Sequence, residues 1–92
     1  MSDNDQYVTL DQFRALVQSG AVKDICLEGM GAGFIVVANL KNKARAVLRA
    51  LHANTVREYR DPRRAFEQLR ALGIVEASVR FEKWEPGQKT IA

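Results

Sequence analysis

Ninety-two residues suffice for one domain and leave too little chain for two that each bury a core. Hydrophobic residues make up 47% of the chain and charged ones 27%, a balance that excludes disorder and matches a folded soluble protein. The formal charge of +3 is unevenly spread, net acidic over residues 1–40 and net basic over 41–92, which points to an anionic partner or to self-association of unlike surfaces.

The opening residues, MSDNDQYV, are polar and acidic with no apolar stretch behind them, so 1–8 read as a flexible tail rather than a signal peptide. The domain proper is expected over 9–85, with 86–92 a second flexible tail. Thr9 then stands at an N-cap with Gln12 three residues on, the spacing of a capping box. Leu10, Phe13, Leu16 and Val17 follow helical periodicity, and Gly20 sits where a left-handed residue ends a helix. A helix over 9–19 with one apolar stripe follows. Residues 23–28 alternate polar and apolar side chains, the period of a half-buried strand. Gly29–Gly33 is a turn, and FIVVANL, 34–40, is apolar on both faces, as a central strand is.

Residues 43–51 satisfy two patterns. Ala44, Val47, Leu48 and Leu51 fit a helical stripe, whereas Arg45, Val47, Arg49 and Leu51 alternate as in a strand, and periodicity does not decide between them. Asp61 and Pro62 mark the next helix start, because proline at the first helical position loses a hydrogen bond that would be missing anyway. Ala65, Phe66, Leu69 and Leu72 form its expected buried stripe, and Gly73 closes it. A strand over 74–83 carries Val75, Ala77, Val79 and Phe81 on one face. The economical assembly is a single α+β domain, an antiparallel sheet of four to five strands with two helices packed on one face.

Three stretches, TLDQFRALVQSGAV, GFIVVANL and REYRDPRRAFEQLRALGIVEASVRFEKWEPG, resemble the ParC-type partition-associated proteins, which are unrelated to the topoisomerase subunit of that name. The shared features are a first helix ending near glycine, a Gly-Phe-led strand, and an Arg-x-aromatic strand leading into an amphipathic helix that ends Leu-Gly-Ile. The resemblance spans Thr9 to about Gly87. It implies a role in plasmid or mobile-element maintenance, and a strand rather than a helix in the ambiguous segment. It brings no catalytic motif with it.

Nothing in the chain reads as chemistry. GMGAGF is followed by a strand, whereas a phosphate-cradling loop needs a helix starting within the glycines. His52 is the sole histidine and has no cysteine or carboxylate at coordinating spacing, so no metal site forms around it. Cys26 lies between Asp24 and Glu28, whose charges oppose the thiolate a nucleophile needs. No enzyme, no cofactor and no small-molecule substrate is expected. The longest apolar run, residues 34–38, is too short to cross a bilayer. A lone cysteine cannot make an internal disulfide, so the reducing cytoplasm is the expected compartment.

Two kinds of partner remain. Lys43, Arg45, Arg49, Arg57, Arg60, Arg63 and Arg64 concentrate positive charge in one stretch, which suits contacts to DNA phosphates. The plainer alternative is a solvated charged face, with Glu67 pairing neighbouring arginines at helical spacing. The second class is a protein-interaction module that forms a homodimer or binds a plasmid-maintenance protein. Phe34, Val36, Ala38 and Leu40 point one way while Ile35 and Val37 point the other, and two helices cover one face alone. The second face then calls for either another layer or a partner, with Val56 and Trp84 at its border.

Overall fold

The computed structural model describes residues 5–51 and 55–86. Its elements run β1 (Asp5–Val8), α1 (Leu10–Ser19), β2 (Val22–Met30), β3 (Gly33–Leu40), β4 (Arg45–Leu48), α2 (Pro62–Ala71) and β5 (Ser78–Arg80). The five strands form one sheet in the order β1-β4-β3-β2-β5. The α+β class and the strand number agree with the sequence.

The sheet is mixed rather than antiparallel throughout. β2–β3 and β3–β4 are antiparallel, but β1 lies parallel to β4 and β5 parallel to β2. The cause is the helices. A ten-residue helix is about 15 Å long, so α1 and α2 each return the chain to the end of the sheet where the preceding strand began. The next strand then runs in the same direction.

Both helices start and stop where the local chemistry directs. The Gln12 N–H donates to the Thr9 hydroxyl at 3.2 Å, and the Thr9 N–H donates to Gln12 Oε1 at 2.8 Å, which closes the capping box. Gly20 takes φ +80° at the C-terminus of α1. In α2, Asp61 caps by accepting from the Arg63 N–H at 3.0 Å, with Pro62 at the first position.

Between β2 and β3 the expected five-residue turn shrinks to Gly31-Ala32, with positive φ at Gly31 alone. Glycine first is the preference of one class of two-residue hairpin turns. The β3–β4 connection is the four-residue loop 41–44, in which the Lys43 N–H donates to the Leu40 carbonyl and Lys43 itself takes φ 74°. The ambiguous segment is therefore a strand at Arg45–Leu48. Its register against β3 buries Ala46, Val47 and Leu48 together, and that tertiary gain outweighs the helix preference of its residues.

Two further expectations are corrected. Asp5–Val8 is not tail but an edge strand, held by its parallel register with Arg45–Leu48. The strand expected over 74–83 shortens to Ser78–Arg80, the residues paired with β2. The remainder of the two expected tails, residues 1–4 and 87–92, lies outside the described residues.

The principal core lies between the sheet and both helices. Phe13 from α1, Ala65, Leu69 and Leu72 from α2 and its end, and Ile25, Leu27, Phe34, Val36, Ala38 and Leu48 from the strands fill it. Phe66, expected in the buried stripe, is 49% exposed. Ala65, Leu69 and Leu72 follow i, i+4, i+7 and define the inward stripe, which leaves Phe66 on its flank.

Candidate functional site

The seven basic residues of interest do not form one surface. Arg45 and Val47 alternate with Ala46 and Leu48, so Arg45 projects from the open face, opposite the helices, where Val47 lies. Its guanidinium sits between two carboxylates, 3.0 Å from Asp5 Oδ1 and 3.1 Å from Glu28 Oε1. The Nε–Oδ1 approach is an ion-pair contact whose angle is not that of a hydrogen bond, while the Glu28 contact is both. With its charge already matched twice, Arg45 is a structural cation tying β1 and β2 to β4. It is withdrawn from the candidate phosphate contacts. Arg49 shares that face by alternation, and its Nη1 reaches the Ala50 carbonyl at 3.5 Å. Lys43 lies in the β3–β4 turn, at the far end of β3 from Phe34. Seven residues of strand separate those ends, about 23 Å.

Arg57, Arg60, Arg63 and Arg64 do stay together. They line the entry to α2 at the Phe34 end of the sheet, and all are exposed. Two features fix this segment. Tyr59 bridges Phe34 in both directions, N–H to carbonyl at 2.8 and 2.9 Å, and Asp61 caps the helix just beyond. Arg63 and Arg64 follow the cap and avoid the Ala65/Leu69/Leu72 stripe. The Arg57 guanidinium lies 4.9 Å from the Tyr59 ring centroid, a cation–π distance. Burial pushes the Tyr59 phenol above its ordinary value of 10.0, with the Arg57 charge and hydrogen bond pulling the other way. Asp61 tempers the cluster, its Oδ2 lying 3.7 Å from Arg63 Nη2. What this surface can do chemically is hold anionic oxygens in bidentate fashion.

The open sheet face differs from expectation. Ile35, Val37 and Val47 form a small second cluster with Val56 packed against it, and Val37 has no accessible surface. Tyr7, Met30, Arg45, Arg80 and Lys83 line an open groove of about 500 Å³ beside the cluster, with Ile35, Val47 and Val56 in its walls. Ile35, Val37 and Val47 are thus buried within the single molecule, while Tyr7 and Met30 on the same face stay 41% and 43% exposed. Val56 borders it as expected. Trp84 does not, because it packs against the principal core, with its ring centroid 5.3 Å from Phe34 and 5.7 Å from Phe81. Parity fails for Trp84 because Phe81 to Trp84 is a turn, closed by the Trp84 N–H on the Phe81 carbonyl at 3.0 Å.

Cys26 occupies the open face yet is buried, at 3% exposure, between β3 and β5, which pair it with Val37 and Ser78. Among the described residues no group of three His, Cys, Asp or Glu side chains could hold a metal ion, and no helix is long and apolar enough to cross a membrane. His52 lies outside the described residues.

Sequence reasoning missed the exposed apolar side chains around β5. Val75, Val79 and Phe81 were expected on one face of a strand, and they are 83%, 39% and 60% exposed, beside Phe66. Their alternation was visible in the sequence, but alternation shows which residues share a face and not whether anything covers it. Compared with family models, with curated proteins and with solved structures, the chain matches none.

Proposed function

We propose that the protein is a non-enzymatic accessory factor of plasmid or mobile-element maintenance that acts by binding, and that its partner is DNA, held at the phosphate backbone. The biological setting comes from the resemblance to the ParC-type partition-associated proteins. The physical support is one observation: Arg57, Arg60, Arg63 and Arg64 are exposed together on a segment held rigidly at both ends. A fixed backbone spares the ordering cost of the segment, leaving only the arginine side chains to be ordered on meeting phosphates. Such contacts position a protein on a duplex without reading its sequence.

Fluorescence anisotropy on duplex DNA across a salt series tests the reading. Four phosphate contacts give a slope of log K against log[salt] near about −3.6. Arg63→Glu with Arg64→Glu is expected to reduce that slope by about 2 and to abolish measurable binding at physiological salt. The fold is expected to survive, since neither side chain belongs to the buried stripe. Absence of binding to the unaltered chain at low salt would leave the arginines as a solvated face.

The second reading, a protein-interaction module, is favoured by a separate observation. Phe66, Val75, Val79 and Phe81 leave apolar surface open along the β5 edge.

A further inference from the structure

The β5 side of the molecule is unfinished. β5 is the terminal strand of the sheet, so one row of its backbone groups has no strand to pair with. Its sequence carries strand-like alternation from 74 to 83, yet regular pairing with β2 covers only three residues. Val75 and Phe81, at either end of this stretch, are the most exposed of its apolar side chains. They share a side with Val79, which joins Phe66, Leu69 and Ile74 around a groove of about 180 Å³ between α2 and the strand. The opposite edge is unlike this. β1 presents Asp5, Gln6 and Tyr7, and Asp5 is tied down by Arg45.

We propose that the β5 edge is a homodimer interface, in which two copies of this chain pair β5 antiparallel about a two-fold axis at Ser78 to make a continuous ten-strand sheet. The register follows from charge. Antiparallel pairing of identical edges requires an axis perpendicular to the sheet, so both copies keep their helices on one side and facing residues share parity. An axis at Ser78 sets Glu76 opposite the second copy's Arg80, and Val75 opposite its Phe81, each twice. Opposite charges and aromatic–β-branched neighbours are both favourable cross-strand pairs. An axis at Val79 would instead oppose Glu76 to Glu82, and one at Arg80 would oppose Arg80 to itself. Farther along, the chain turns away at Phe81–Trp84. Among the described residues of a single molecule Arg80 makes one ion-pair contact, a long one with Glu82 at 3.9 Å, and both side chains are exposed, so it is available to Glu76 of a second copy. In this arrangement the second copy's Phe81 covers Val75 beside the α2 groove, and the strand lengthens toward the span its sequence encodes.

The inference does not depend on the arginine cluster. Sedimentation of the full chain over a concentration series is expected to show twice the 10.3 kDa monomer mass. Glu76→Arg and Arg80→Glu each place like charges in register and are expected to weaken the dimer by about tenfold or more. An equimolar mixture of the two variants restores complementarity at both pairs and is expected to restore dimers. Amide exchange over 75–81 reports independently, slowing as protein concentration rises. A chain that stays monomeric at millimolar concentration overturns the proposal. So does a dimer indifferent to both substitutions, which would use another surface, and so does a mixture that remains monomeric.

Discussion

Single residues show where this chain spends conformational freedom. Lys43 holds φ 74° in the β3–β4 loop, a conformation that costs a residue with a Cβ about 1–2 kcal/mol. Lys43→Gly removes that cost and adds the backbone entropy of glycine, about 0.5–1 kcal/mol. The net expectation is stabilisation of about 0.5–1 kcal/mol, read as a rise in Tm of about 3–5 °C. Gly29 shows the reverse constraint. A Cβ there would collide with Trp84, so the close approach of the 81–84 turn to β2 depends on glycine. Tyr59 gives a pH signature. Because burial raises its folded value above 10.0, the unfolded chain loses the phenol proton first as pH rises. The stability it contributes is whole below pH 10 and is lost as pH climbs through the raised value. Urea midpoints for Tyr59→Phe are expected to fall less steeply than those of the unaltered chain between about pH 9 and about pH 11.

At the scale of elements, the helices were legible and the edges were not. Thr9 with Gln12, Asp61 with Pro62, and the left-handed Gly20 and Gly73 are signals read within a few residues, and the structure uses all of them. β4 was ambiguous because its alanine, leucine and arginine favour helix, and the partner that decides the matter is β3. β1 was invisible, since its pairing residues are Arg45–Leu48, far along the chain. The candidate site divides in the same way. Arg57, Arg60, Arg63 and Arg64 are neighbours in sequence and stay neighbours in space. Arg45 is diverted by Asp5 and Glu28, carboxylates from two other strands that no local pattern announces. The start of α2 offers a test that separates its two tasks. Asp61→Asn keeps a capping oxygen for the Arg63 N–H but removes a negative charge from among the arginines. Stability is expected to change by less than about 0.5 kcal/mol, while the proposed DNA binding would tighten by about two- to fivefold in the anisotropy assay.

Across the whole molecule, the middle of the sheet is local and its margins are distant. β2, β3 and β4 are successive hairpins, whereas β1 must find β4 and β5 must find β2 across half the chain. Closing those loops costs more entropy and delays their contacts. At concentrations where the chain is monomeric, amide exchange is therefore expected to be slowest in β3, whose residues are almost all buried, and fastest in β1 and β5. Uniform protection across all five strands would contradict this order. The parallel margins thus have a meaning in time. Loop entropy brings the central hairpins together first and the β5 edge last, onto a sheet already begun. Intermediates that lack β5 carry no copy of the Glu76–Arg80 code and cannot pair through it. In the proposed dimer, recognition between copies would in this way be reserved for molecules that have finished folding.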